Sequence, residues 1–242
     1  MKENKEWFED WFNTSYYHLL YDYRNEEEAE FFMENLLRFL ELGESDVILD
    51  LPCGRGRHSL FLNSKGYRVV GADISENSIA HARHFENQRL RFTIHDMRDP
   101  LKERFKAIFN LFTSFGYFEN EETNALVLKN FKKALLSDGC LVIDFLNLYK
   151  VREELVPNQE IVKGPVRYKI EKRITENFIV KDIEVNDRGN VFNFQEKVQA
   201  LDLKKFERYS SEAGLKITEV FGDYALGEYS EKDSDRLILV FK

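Results

Sequence analysis

The chain has 242 residues, 43% hydrophobic and 14% aromatic, which is enough apolar material for one large α/β domain and too much for a disordered polymer. A formal net charge of −8 argues against a nucleic-acid backbone as the main partner. Two cysteines, Cys53 and Cys140, provide neither a disulfide framework nor a Cys-x-x-Cys pair, and no apolar run reaches membrane-spanning length. With no signal-peptide core near Met1, a cytoplasmic protein without membrane contact is predicted.

Residues 1–42 read as a helical N-terminal lid. Asn25 and Glu28 have capping-box spacing, and Ala29, Phe32, Met33, Leu36, Leu37 and Leu40 recur on one helical face until Gly43. The preceding stretch is dense in rings, among them Trp7, Phe8, Trp11, Phe12, Tyr16, Tyr17, Tyr21 and Tyr23. Either these clamp a helix on the core or their inner faces touch a ligand.

Over residues 43–150 strand and helix patterns alternate. Strands are predicted at 46–51, 67–73, 90–95, 107–114 and 140–146, and helices at 57–65, 76–86 and 120–137. Such alternation predicts a Rossmann-like, doubly wound, mostly parallel sheet of seven strands with an antiparallel last strand. Residues 151–201 break the period: runs at 166–174, 178–185 and 191–200 alternate apolar with charged residues. The turn 186–190 between the last two predicts a hairpin in a small antiparallel β insertion. Its apolar face calls for a cover, which suggests a homodimer contact or a role in acceptor choice. Residues 202–242 resume the α/β pattern as a closing helix, 203–213, and a hairpin of 216–221 and 236–241. The whole reads as a single domain.

Chemistry concentrates at the predicted strand ends. Asp50 precedes Cys53-Gly54-Arg-Gly56, a turn in which glycines permit close approach and Cys53 is a small side chain. Asp73 closes the next strand nineteen residues after Gly54, and His95-Asp96-Met97 closes the third. In an open parallel sheet, ligands lie beyond these carboxyl ends. Singly, each acid has an ordinary explanation, Asp73 as a turn before the helix cap Ser75 and Asp96 as a turn residue. Their succession at three strand ends favours a shared ligand site, and an acid before the glycine turn favours a cationic ligand over a pyrophosphate. The five histidines have no metal-site spacing, so no metal is predicted.

Asp50-Leu-Pro-Cys-Gly-Arg-Gly56, Gly71-Ala-Asp73-Ile-Ser, His95-Asp96-Met97 and the 110–118 segment together resemble class I S-adenosylmethionine-dependent methyltransferases, narrowly the bacterial small-molecule type with an aromatic lid and a β insertion. The likeness covers residues 16–148 best; Pro52 stands where the family's first motif commonly has glycine. The resemblance implies S-adenosylmethionine as cofactor and a small-molecule methyl acceptor. By it, Asp50 and Gly54–Gly56 border the methionine moiety, Asp73 binds the ribose and Ile74 lies against the adenine. Asp96 and Met97 hold that base, Asn110 and Phe112 close the sulfonium side, and Arg24 and Tyr16 are lid groups for the carboxylate. Tyr117 and Tyr16 are the acceptor-side choices. Two alternatives stay open: a nicotinamide-dependent oxidoreductase, against which Ser59 replaces the third glycine, and a non-catalytic S-adenosylmethionine-binding protein.

Overall fold

The computed structural model describes residues 6–22 and 26–242. The helical start divides into α1 (Trp7–Phe12), α2 (Ser15–Leu20) and α3 (Glu26–Leu40). The break between α1 and α2 is local chemistry: the Thr14 hydroxyl accepts a hydrogen bond from Tyr17 N and starts α2 as its N-cap. Asn25, half of the expected capping box, lies outside the described residues, but the face of Ala29, Phe32, Met33, Leu36 and Leu37 is buried as the spacing requires.

β1 (Val47–Asp50), β2 (Arg68–Asp73), β3 (Leu90–Ile94), β4 (Phe105–Asn110), β5 (Leu135–Leu146), β10 (Ile217–Phe221) and β11 (Arg236–Phe241) form one sheet in the order β10-β11-β5-β4-β1-β2-β3. β1 pairs in parallel with both β2 and β4, and β11 runs antiparallel between β10 and β5. The chain moves outward one way through β2 and β3 and then the other way through β4 and β5. The crevice between β1 and β4 is therefore a topological switch point.

Helices cover both faces. α3, α4 (Arg57–Ser64) and α5 (Glu76–Ala82) enclose a core with Ile48, Val69 and Phe109, while α6 (Glu121–Ala134) and α8 (Leu203–Ala213) enclose another with Ile108, Phe131 and Phe206. A sheet buried on both sides explains the near-continuous apolar runs of its central strands. α6 ends at Ala134, three residues before its expected end, because Leu135 and Leu136 already belong to β5. α7 (Leu148–Glu154), unannounced by the sequence period, leads into the insertion.

The insertion is a second, four-stranded antiparallel sheet, β6 (Asn158–Lys163), β7 (Val166–Ile174), β8 (Phe178–Asp187) and β9 (Asn190–Gln199), in chain order. β6 is an additional strand, polar and largely exposed at the sheet edge. β8 and β9 meet at the two-residue loop Arg188-Gly189, both at positive φ, which matches the right-handed twist of a tight hairpin. The inner face of this sheet packs Tyr168, Ile170, Ile183 and Val185 against Trp11 and Leu20. Its cover is thus the chain's own lid, which removes the reason for expecting a second copy there.

Candidate active site

Asp50, Cys53, Gly54, Asp73, Ile74, Asp96, Met97, Phe112 and Tyr117 all line one cavity of about 450 Å³ at the carboxyl ends of β1, β2, β3 and β4. Its roof is the lid, through Phe8, Phe12, Tyr17 and Tyr21.

The backbone of the turn is built around the carboxylates. Asp73 is buried; its Oδ2 accepts from Gly54 N at 2.8 Å and its Oδ1 from Ser75 N at 2.8 Å. Each oxygen retains acceptor capacity towards the cavity, yet the side chain also holds the glycine turn to the start of α5. Burial pushes its pKa up, against the pull of those backbone donors. Asp50, 2% exposed, accepts from Ser59 Oγ at 2.6 Å. Burial raises its carboxyl to about 7; the Ser59 hydrogen bond opposes this and the charge of Asp73 reinforces it. Two neighbouring buried acids strain against ionisation together, a condition that a cationic ligand relieves.

Asp96 is differently placed. Burial pushes its carboxyl up, but Arg98 outweighs this through Nε and Nη2 bonds to both oxygens and holds the pKa below the ordinary value. Arg98 Nη1 also reaches Glu6 Oε1 at 2.5 Å, tying the start of the lid to the cavity floor. Asp96 thus enters the cavity as a braced carboxylate. The half-buried Ile74 and Met97 add apolar wall. Burial lifts the Cys53 thiol far above its usual range, so it stays protonated.

Other expected residues stand elsewhere. Gly56 is no cavity wall: at φ 86° it is the left-handed N-cap of α4, and a Cβ there would meet the Phe92 ring at 2.7 Å. Asn110 is fully buried and its Nδ2 donates to Leu51 O at 2.9 Å, bracing β4 against the chain after β1 instead of facing the cavity. Tyr16 turns to the insertion, where its hydroxyl donates to Asp187 Oδ2 at 3.1 Å and its ring lies 5.4 Å from Phe192. One helical step moves Tyr17, and with it Tyr21 a turn later, onto the cavity side in its place. Arg24 lies outside the described residues.

His58, His95, Ser78 and Ser114 are further cavity residues, to which the sequence reading assigns no role although His95 and Ser114 lie within its motifs. His58 directly follows the glycine turn, and its ring lies 4.5 Å from Phe112. His95 is half-buried, among the described residues its Nε2 has no hydrogen-bond partner, and desolvation lowers its pKa, so it is a neutral imidazole in the wall.

A second cavity of about 640 Å³ shares Phe12, Tyr17, Tyr21, Phe112 and Tyr117 with the first and opens between lid, insertion and the approach to β11. The shared wall is an aromatic collar: Tyr117 lies 5.4 Å from Trp7 and 5.6 Å from Phe12, and Phe12 lies 4.8 Å from Tyr17. The Tyr117 hydroxyl donates to Thr113 O at 2.6 Å. Phe112 and Thr113 both hold positive φ, 58° and 59°. Buried Asp144 accepts from Phe112 N at 2.7 Å and from Arg236 Nε at 2.8 Å, while Arg236 Nη2 donates to Thr113 Oγ1 at 2.9 Å. An ion pair between β5 and β11 thus fixes the segment that parts the two cavities.

The seven-stranded order, with a carboxylate at the tip of β1 and another at β2, is the architecture of class I S-adenosylmethionine-dependent methyltransferases. Residues 48–139 match the family model of a methyltransferase domain. A glycine/sarcosine N-methyltransferase of Aphanothece halophytica is 34% identical over 139 residues, 54% of this chain and 50% of that protein. The chain spans about half the length of the curated relatives it matches. Among solved structures, an S-adenosylmethionine-dependent methyltransferase from Clostridium acetobutylicum superposes with a TM-score of 0.79 at 20% identity, covering 94% of this chain and 95% of that one. CalS10, an amino pentose methyltransferase from Micromonospora echinaspora with S-adenosylmethionine bound, gives 0.69 at 16% identity over 100% and 99% of the two chains. Residues 48–139 are thus similar to a methyltransferase domain, and the fold is that of these solved methyltransferases from lid to last strand.

Proposed function

We propose that this protein transfers a methyl group from S-adenosylmethionine to a small-molecule acceptor, with the cofactor in the first cavity and the acceptor in the second. The observation that carries this reading is the convergence of Asp50, Asp73 and Asp96 on one cavity that shares an aromatic wall with another. The residues present suit the cofactor. Asp50 and Asp73 are buried acids that favour a neighbouring positive charge, Asp73 keeps acceptor capacity for vicinal hydroxyls, and Ile74 with Met97 offers apolar contact to a flat base.

When bound, S-adenosylmethionine supplies a methyl group on a sulfonium, open to in-line displacement. The glycine turn and Asp73 fix one end of that ligand; Phe112 and Tyr117 stand at the boundary that the transfer crosses. Their rings attract positive charge and exclude water. Alignment of this kind supplies roughly 7–11 kcal/mol without a covalent intermediate. The acceptors in the names of the relatives are amines, glycine and an amino pentose. This supports a nitrogen acceptor, which attacks as the free base once its ammonium proton has passed to solvent or to a neighbouring group. Among the described residues no helix is long and apolar enough to cross a membrane; with two unpaired cysteines, this supports work in the cytoplasm on a soluble substrate.

Calorimetric titration with S-adenosylhomocysteine and with NAD tests the reading. Saturable binding of the former is expected. Binding of NAD with no response to S-adenosylhomocysteine would refute it in favour of an oxidoreductase.

A further inference from the structure

The insertion sheet carries an irregularity that its packing does not require. Its inner face is apolar along two cross-strand rows, Ile170–Ile183–Phe194 and Ile174–Ile179–Val198. Between them, in register, runs a charged row: Lys172 opposite Lys181, and Lys181 opposite Glu196. All three residues wall the second cavity.

The row is only half compensated. Glu196 accepts from Trp11 Nε1 at 2.8 Å and from the Tyr21 hydroxyl at 2.7 Å, and pairs with Lys181 Nζ at 2.9 Å. Lys181 also bonds the Tyr21 hydroxyl. This cluster fastens the lid to the insertion and engages Glu196, while the two other acids of the cavity wall, Glu154 and Asp235, lie 3.1 and 3.9 Å from Lys150 Nζ. Lys172 is left with a neutral partner, Gln159 Oε1 at 3.1 Å, and among the described residues it makes no ion pair. Desolvation, and next the charge of Lys181, lower its pKa. Like charges directly opposed across a ladder cost stability, so the pair is a poor choice for folding alone. Trp7 lines the same cavity, and among the described residues its buried indole Nε1 has no acceptor.

We infer that the second cavity binds an anionic oxygen group of the acceptor, a carboxylate or a phosphate, against Lys172. The inference rests on the methyl-transfer reading only in calling that molecule the acceptor. The acids of the cavity wall are engaged by Lys150 and Lys181, so Lys172 is the cation that selects the anion, and the aromatic collar at the cavity's inner end receives the part to be methylated.

The test uses the full chain labelled with carbon-13 at the lysine ε positions, with and without S-adenosylhomocysteine. Acetate, inorganic phosphate and neutral acetamide are titrated at constant ionic strength. The Lys172 resonance is the one missing from Lys172→Met. Saturable movement of that resonance with acetate or phosphate, and none with acetamide, is expected; the anion that acts distinguishes carboxylate from phosphate. Read at Lys181, Lys172→Met should weaken that anion about tenfold, the loss of one charged hydrogen bond, and Lys172→Arg should retain it. The Met variant should be at least as stable as wild type, since it removes a like-charge opposition. No saturable shift, an equal response to acetamide, or undiminished anion binding in Lys172→Met would overturn the inference. An anion response in a protein that ignores S-adenosylhomocysteine would support the subsite and refute the methyl-transfer reading, so the two failures are distinct.

Discussion

Asp50 should give the fold a specific pH dependence. In the unfolded chain its carboxyl titrates near 3.8, and in the folded protein, raised chiefly by burial, near 7. Between these values the folded state holds a proton that the unfolded state has released. The contribution to stability is therefore complete below pH ~4 and declines as pH rises, by about 1.4 kcal/mol per unit. Across roughly three units the loss is about 4 kcal/mol, and it levels off above pH ~7. Asp50→Asn removes the titration, while its carboxamide oxygen can still accept from Ser59 Oγ. Urea unfolding of wild type and variant from pH ~4.5 to ~8 should show a variant advantage that grows with pH, because the other titrating groups largely cancel in the difference. A difference that stays flat over that range would refute the reasoning. The same proton should leave when a ligand ammonium approaches. S-adenosylhomocysteine binding near neutral pH should then release heat that depends on the ionisation enthalpy of the buffer.

Asp73→Asn keeps one acceptor oxygen and loses the other, orphaning Gly54 N or Ser75 N. Stability measured by urea titration should fall by about 1–3 kcal/mol, and S-adenosylhomocysteine affinity should fall with it; an unaltered dissociation constant would place the ligand elsewhere. Gly71→Ala would thrust a Cβ into the Phe92 ring and to 2.9 Å from Ser59 Oγ. This overpacking should cost about 1–3 kcal/mol in thermal or urea unfolding, and a neutral result would show that Phe92 has room to move.

The central sheet was legible because its strands are short apolar runs separated by helices of clear period, and each acid closing β1 and β2 announces its own turn. The segment 111–114 was not. Leu-Phe-Thr has strand-forming composition, yet β4 stops at Asn110 and Phe112 and Thr113 adopt left-handed angles. The cause is Asp144, far along the chain, whose buried carboxylate captures Phe112 N and which pairs with Arg236. No local pattern encodes that. Tyr16 and Tyr17 illustrate a second limit: adjacent rings of like chemistry differ only in helical phase, and the phase was set by Thr14 as an N-cap. Asp73 reads in the sequence either as a turn before the cap Ser75 or as a ligand group, and its carboxylate in fact holds two backbone amides, Gly54 N and Ser75 N, while lining the cavity. Cross-strand register, which aligns Lys172 with Lys181, emerges only once the strands are paired.

The placement of β11 ties assembly to competence. β5 is complete at Leu146, but its free edge finds its partner only at Arg236, after the whole insertion and α8 have been made. A nascent chain therefore carries an open strand edge through much of its synthesis, the kind of surface that recruits wrong partners. The residue that opens β11, Arg236, is also the one that neutralises Asp144 and grips Thr113. Shutting the sheet and setting the partition between the two chambers are thus a single event, and a ribosome-bound fragment ending before it has neither.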